Sequence, residues 1–229
     1  KINTSLPLIR SKNMLKETLT PKISLRINPI NNMDNHSASS AKINANNVFN
    51  INRLGISNDF EAGRSVTVGL DYKYDPLLDN LPENTNKNLL EDIEDKYFEI
   101  KLATVVRDQY ESDIPLSSTI NRKNSDLFGS INNRLFNNID LLYEFSLDND
   151  MKTINSNTFE TKISINNFVT SFDYIEQRNE IGSTHLLSNT TEYKIDDSKS
   201  FKFSTRRNKE INLTEYYDLS YEYKNDCLT

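Results

Sequence analysis

The sequence predicts an all-β fold of antiparallel strands, and three features of the 229-residue chain lead to this prediction. Apolar and polar residues alternate with a period of two in several long segments, so each segment, as a strand, has one apolar and one polar face. Short polar turns separate many of these segments, which is typical of antiparallel neighbours. No segment has the helical apolar period that would let a helix cover the sheet.

The alternation is clearest in four segments, which are residues 66–74, 139–147, 159–165 and 217–223. Weaker copies of the pattern predict further strands within residues 23–27, 98–106, 127–131, 168–174, 185–195 and 201–205. The count is about ten strands, and many run for about nine to eleven residues, the length that crosses a bilayer at a tilt near 45°.

Two long polar stretches interrupt the pattern and are interpreted as loops. Residues 75–95 contain two prolines and could form a short helical turn at 89–93, and residues 108–125 contain another proline. Glycine occurs only 5 times in the chain. The turns must therefore be built largely by Asn and Asp, which tolerate left-handed backbone conformations.

Composition and strand length favour an up-and-down transmembrane β-barrel of the outer-membrane type. Hydrophobic residues make up 36% of the chain and charged residues 26%, which suits a wall with lipid on one side and water on the other. Tyrosines recur at the predicted strand ends, where such barrels place aromatic girdles. A soluble β-sandwich shows the same alternation and remains the alternative.

The two alternating sets of side chains would face different solvents in such a barrel. The apolar set, expected to face lipid, is Val66, Val68, Leu70, Ile139, Leu141, Ile163, Ile165 and Leu219. The polar set, expected to face the lumen, is Asp71, Lys73, Glu144, Glu160, Lys162 and Glu222, with Lys224.

Residues with recognisable catalytic or metal-binding spacing are missing from the sequence. His36 and His185 stand far apart and outside any metal-ligand motif, and Cys227 is the one cysteine. Neither a nucleophile motif nor a phosphate-binding glycine loop occurs. The net charge is −6 with acids and bases interleaved, which argues against nucleic acid as a partner. We therefore expect a non-enzymatic protein without a cofactor or metal.

One segment, residues 46–74, carries a motif of Asn, Phe, Arg, Glu and Gly at fixed spacing. This segment resembles the LptD family, the outer-membrane lipopolysaccharide-assembly proteins also called organic solvent tolerance proteins. The residues that match the family pattern are Asn47, Val48, Phe49, Asn52, Arg53, Asp59, Glu61, Gly63, Arg64, Gly69, Leu70 and Tyr72. We expect the segment to form a strand, a turn of the Asn/Gly type and a second strand.

Looser similarity extends to about residue 20 on one side and to the chain end on the other. Residues 122–128 resemble a strand start of the family, and residues 219–227 resemble its cysteine-containing end region. The family commonly has two adjacent cysteines there, whereas Leu228 follows Cys227 in this chain. The resemblance therefore implies at most one inter-domain disulfide from Cys227, with its partner outside residues 1–229, and a free thiol or a buried small residue is the alternative.

The resemblance implies a part of a very large barrel in the outer membrane of a Gram-negative bacterium. Residues 1–229 would form one partial C-terminal barrel domain, without the periplasmic jelly-roll domain and the strands that close the barrel. Its partners would be an LptE-like lipoprotein plug in the lumen, lipopolysaccharide, and a periplasmic bridge reached through the jelly-roll. The function would be non-catalytic transport of lipopolysaccharide to the outer leaflet. A porin or receptor barrel, or a soluble β-sandwich that binds glycan or protein, are the alternatives.

Overall fold

The computed structural model describes residues 1–12, 15–29, 41–55, 61–76 and 96–224. This part of the chain forms one antiparallel up-and-down sheet of twelve strands, with two short 3₁₀ turns at Leu116–Ser118 and Asn179–Ile181. The all-β, antiparallel prediction is therefore confirmed. The strands are β1 Ile2–Ser5, β2 Leu8–Lys12, β3 Leu15–Asn28, β4 Gly63–Pro76, β5 Phe98–Arg107, β6 Leu127–Phe136, β7 Ile139–Leu147, β8 Ile154–Ile165, β9 Phe168–Gln177, β10 His185–Asp196, β11 Lys199–Asn208 and β12 Leu213–Tyr223.

Strands β3 to β12 follow one another across the sheet in sequence order, and β1 and β2 both pair with β3. Ile2 lies opposite Leu25, and Leu8 lies opposite Leu19. The two short strands thus form one interrupted edge, with the break at Pro7, which has no N–H for the ladder. In the described residues the sheet is open, with β1 and β2 at one edge and β12 at the other.

The expected count of about ten strands was too low, and the expected length of β3 was too short. Strands β1 and β2 are only 4 and 5 residues long, so they are too brief to show a clear alternation. Strand β3 runs for 14 residues rather than over 23–27, and it includes Pro21. The Pro21 carbonyl accepts a hydrogen bond from the Leu6 N–H at 3.1 Å, so the proline still takes part in the sheet on its acceptor side.

Connections differ between the two ends of the sheet. At one end, here called the turn end, residue pairs 137–138, 166–167 and 197–198 join successive strands. Strand β4 ends and β5 begins at this end too, at Pro76 and Phe98. At the other end, the loop end, the connections are residues 29–62, 108–126, 148–153, 178–184 and 209–212. The predicted Asn-rich turns at 137–138 and 166–167 are present, and Asn166 adopts a positive φ of 51°.

The two faces of the sheet have opposite chemical character, because cross-strand partners point to the same side. On the outer face, Val66 lies between Leu25 and Val106, and these side chains remain 37% to 44% exposed. On the inner face of the same strand, Ser65 and Thr67 are only 3% and 2% exposed. The sheet thus buries small polar side chains and exposes large apolar ones, which is the reverse of the arrangement in a soluble protein.

The buried core lies on the inner face near the loop end. Two segments between strands cover the sheet there: residues 41–55, here called the strap, and the loop 108–126. The core residues are Ile43, Ala45, Val48 and Leu54 of the strap, Ala62, Ala103, Val105 and Phe128 on or beside the strands, and Ile114 and Ile120 of the loop. The interpretation of 108–125 as a loop agrees with the structure.

The strand expected around Val48 and Phe49 was wrong. Residues 45–54 form consecutive turns that lie across the inner face instead of joining the sheet. The physical cause is local, because Asn side chains hydrogen-bond to nearby backbone and so compete with strand pairing. The short helical turn expected at 89–93, together with Asp59 and Cys227, lies outside the described residues.

Candidate functional site

The strap is fixed to the sheet through the side chain of Arg53, which is buried. Its Nε and Nη2 donate to the two oxygens of Glu61 at 2.7 and 2.5 Å. The remaining N–H groups reach Thr67 Oγ1 at 2.9 Å, Ser65 Oγ at 3.1 Å and the Val48 carbonyl at 3.2 Å. The inner-face hydroxyls of β4 are therefore hydrogen-bond acceptors for a strap arginine, which explains why polar residues are buried there.

Glu61 is the anion on which three arginines converge. Arg107 of β5 donates to Oε1, and Arg26 of β3 places its Nε 3.5 Å from Oε2. Arg107 also donates to the carbonyls of Ala62 and Ile120, and Arg26 donates to those of Asn50 and Ile51 at 2.8 Å each. This cluster, here called the arginine cluster, joins β3, β4, β5, the strap and the loop 108–126.

The arginine cluster also sets the ionisation of Glu61, which lies just before β4. Burial disfavours the charged carboxylate, but the hydrogen bond from Arg53 and the positive charges of the three arginines outweigh that cost. Together they hold the pKa of Glu61 below its usual value of 4.5. Glu61 therefore stays ionised at neutral pH and serves as a permanent counter-ion.

The other end of the strap is shaped by asparagines. Asn44 Oδ1 accepts from the Asn47 N–H at 3.0 Å, and Asn47 Oδ1 accepts from the Asn44 N–H at 2.9 Å. This reciprocal pair caps the first turn in the manner of a capping box. Asn46 then bridges two strands, since its Nδ2 donates to Glu144 at 2.8 Å and its Oδ1 accepts from Lys101 at 3.0 Å.

Phe49 packs where the sheet has no side chain. Its ring lies over Gly69 on the inner face of β4, and a Cβ at Gly69 would come within 2.7 Å of the ring. The ammonium of Lys22 lies 5.8 Å from the ring centroid, a favourable cation–π distance. Position 69 must therefore be a glycine for the Phe49 ring to pack against the strand, so the two motif residues depend on each other.

The remaining motif residues lie beside the strap. Gly63 begins β4 with a φ of +79°, and a Cβ there would collide with the side chain of Glu111. Arg64 points to the other face and forms an exposed ion pair with Asp108 at 2.5 Å. Asn52 accepts the Gly55 N–H through its carbonyl at 3.3 Å. Of the twelve motif residues named from the sequence, all except Asp59 lie within the described residues. Those that hold the strap are Asn47, Val48, Phe49, Arg53, Glu61 and Gly69.

The residues expected to face lipid and lumen fall on opposite faces of the sheet. The apolar set, Val66, Val68, Leu70, Ile139, Leu141, Ile163, Ile165 and Leu219, lies on the outer face. The polar set lies on the inner face, where Asp71 pairs with Lys22, Lys73 with Asp75 at 2.9 Å, and Glu222 with Lys224 at 3.3 Å. Glu160 and Lys162 of that set are exposed. Which solvent each face meets stays a prediction.

The sequence patterns did not single out Arg26 or Arg107, whereas Asp126 belongs to the segment 122–128 that resembles a strand start of the family. Asp126 is fully buried and accepts hydrogen bonds from Ser146 at 2.6 Å and Asn155 at 2.9 Å. A usable signal existed for the arginines, because Arg26 and Arg107 occupy polar positions of alternating strands close to the motif in the sheet. This signal can be used only when β3, β4 and β5 are known to be neighbours in the sheet, and the sequence alone does not show that pairing.

The outer face carries a row of aromatic side chains near the turn end. Phe168, Tyr193, Phe201 and Tyr221 lie opposite one another on β9 to β12, and the Phe201 and Tyr221 centroids are 5.1 Å apart. A cluster of three polar side chains, Thr170, Asn189 and Thr191, lies on the outer face above the row. The side chains of this cluster hydrogen-bond to one another, since Asn189 donates to Thr170 at 3.0 Å and accepts from Thr191 at 3.2 Å.

Within the described ranges, no helix has the length and apolar character needed to span a membrane. The same residues bring no three His, Cys, Asp or Glu side chains together in a metal-binding arrangement. A comparison with protein-family models found no match for this sequence, and a comparison with curated proteins found no significant relative.

Proposed function

We propose that this chain forms part of the wall of a transmembrane β-barrel. The observation that carries the proposal is the exposure of large apolar side chains on one continuous face while the other face buries Ser, Thr and Arg. In water such a face would be an extensive unprotected apolar patch. In a bilayer it would be the ordinary lipid-facing surface of a barrel.

The details of the outer face support this assignment. The aromatic row near the turn end has the position of an interfacial girdle. The hydrogen bonds among Thr170, Asn189 and Thr191 leave no unsatisfied side-chain donor of Asn189, which is what hydrocarbon surroundings demand. In the described residues no second sheet and no helix layer covers this face, so the soluble β-sandwich lacks its defining partner layer.

The open edges of the sheet indicate how the wall would be completed. Strands β1 and β2 on one side and β12 on the other present unpaired backbone groups, which cannot remain unpaired in a membrane. They must pair with each other or with further strands. The described sheet would then be a sector of a closed barrel.

Within this class we propose a lipopolysaccharide-transport barrel of the LptD family, located in the outer membrane of a Gram-negative bacterium. The support is that family-like motif residues contact one another in two pairs, Arg53 with Glu61 and Phe49 with Gly69, and that both pairs hold the strap on the sheet. The exposed inner face of β10 to β12 offers room for a lipoprotein plug, and lipopolysaccharide would be the transported molecule.

The proposed orientation rests on the length of most connections, since barrels of this type have short turns on the periplasmic side and longer loops outside. The connection between β4 and β5, which leaves and re-enters the sheet at the turn end, is the exception. The turn end would therefore face the periplasm, and the loop end, from which the strap enters, would face the cell exterior. The wall would act by shape and polarity, without bond chemistry.

The transport role is tested by depletion of the protein from the cell that produces it, with two readouts. We expect lipopolysaccharide to disappear from the cell surface, measured by its accessibility to an enzyme added outside, while porin levels in the outer membrane stay normal. A plasmid copy of the gene should restore the surface signal. Unchanged surface lipopolysaccharide after depletion would contradict the transport role, and a protein found in the soluble fraction would contradict the barrel.

A further inference from the structure

The strap crosses most of the described sheet on its polar side. Its first residues reach β9, where Lys42 Nζ donates to Gln177 at 2.9 Å. Asn46 contacts β5 and β7, and Phe49 lies over β4. At the far side, Arg26 of β3 binds the carbonyls of residues 50 and 51. One short segment thus spans the inner face from β9 to β3.

Water is excluded beneath the strap although the surface under it is polar. Ser24, Ser65 and Thr67 on the inner face are each at most 3% exposed, and Val48 of the strap is 1% exposed. The hydroxyls of Ser65 and Thr67, which would otherwise line an aqueous channel, accept hydrogen bonds from Arg53. By contrast, Lys194, Lys202 and Glu222 on the inner face of β10 to β12 remain exposed within the described residues.

Both ends of the strap are held firmly. The arginine cluster fixes one end through buried charge-assisted hydrogen bonds, which are stronger than neutral ones. Ile43 and Ala45 anchor the other end in the core. Arrangements of this kind favour a fixed element over a mobile lid.

We propose that the strap is a permanent seal, which closes the sector β3 to β7 of the barrel lumen to ions and small hydrophilic solutes. Passage of such solutes would be confined to the sector β10 to β12. This inference rests on the proposed barrel. It adds a barrier function for the inner face that transport of a lipid does not require.

The test uses the two glycines that seat an aromatic ring on opposite faces. Gly69→Val displaces Phe49 on the inner face, whereas Gly129→Val displaces Phe145 on the outer face. Both changes place the same β-branched residue in a strand, although a Cβ at Gly69 also comes within 3.0 Å of the Leu102 carbonyl oxygen. The full-length protein and both variants are inserted into planar lipid bilayers, and single-channel conductance in potassium chloride is measured.

We expect a several-fold higher conductance for Gly69→Val and the unmodified value for Gly129→Val. Equal conductance in all three proteins would overturn the seal, and so would an equal rise in both variants. Failure of the unmodified protein to insert would instead refute the barrel itself. If Gly69→Val does not fold, Phe49→Ala with Phe145→Ala as control repeats the comparison without crowding a strand. Unchanged conductance of Phe49→Ala would then overturn the seal.

Discussion

Replacement of Glu61 by alanine should be the most damaging single change in the arginine cluster. The side chains of Arg53 and Arg107 are 1% and 0% exposed, so both guanidinium groups would lose their carboxylate without gaining water. Three hydrogen bonds to the carboxylate disappear with it. Removing one partner of a buried ion pair costs about 3–5 kcal/mol, because the other charge is left uncompensated.

The cost is measured as the shift of the urea unfolding midpoint of the protein refolded in lipid vesicles or detergent. Asp108→Ala is the matched control, because it breaks the exposed Arg64–Asp108 pair. We expect that pair to contribute about 0.2–1 kcal/mol. If both variants shift the midpoint equally, the cluster is not a major source of stability and the reasoning fails.

The pH dependence has a definite sign. The pKa of Glu61 in the folded protein lies below its usual value of 4.5, so its contribution is fully present above that value. The contribution is lost as the pH falls through the folded pKa. The unmodified protein should therefore lose stability on acidification below pH 4.5 more steeply than Glu61→Gln, whose side chain cannot titrate.

Three further predictions concern the faces and the ends of the wall. Phe172→Arg on the outer face should destabilise the inserted protein by about 2–4 kcal/mol if the residue lies near mid-membrane. Ser171→Arg on the inner face should leave the free energy of unfolding nearly unchanged. Equal effects of the two changes in an unfolding titration would contradict the assigned faces. The chain has no Trp, so the fluorescence of one introduced Trp reports on the surroundings of that position. Brominated lipids should quench the fluorescence of Tyr193→Trp on the outer face far more than that of Lys194→Trp on the inner face. Equal quenching would mean that the outer face does not meet lipid. In a protein without the native cysteine, Glu210→Cys at the loop end should react with an impermeant maleimide on intact cells. A cysteine introduced in the turn between β10 and β11 should not react. The opposite labelling pattern would mean that the proposed orientation is inverted.

The strands were predictable because the signal that defines them is local. In β4 and in residues 217–223 of β12 apolar and polar side chains alternate strictly, and in β7 only Leu142 departs from the pattern, so each strand can be predicted from its own residues. The faces follow from the same rule. The strap was not predictable, because Val48 and Phe49 fit a strand locally and only Gly69 and Arg26, distant in sequence, decide where they pack.

The candidate site shows the same division. Arg53 and Glu61 were singled out as motif residues, and they form the ion pair at the centre of the arginine cluster. Their role could not be deduced, since it depends on Arg107, which is 46 residues from Glu61. A contact between two residues so far apart in the chain produces no periodic pattern that a single sequence could show.

The position of the strap in the chain dictates the order in which the molecule is completed. The strap precedes β4 in sequence, yet Asn46 binds a residue 98 positions later and Lys42 one 135 positions later. Neighbouring strands can pair through short loops, whereas these contacts must wait until β7 and β9 are in place, and closing such long loops is slow. Docking of the strap is therefore a late event in folding, and a protease site within it would report whether the wall behind it has been finished.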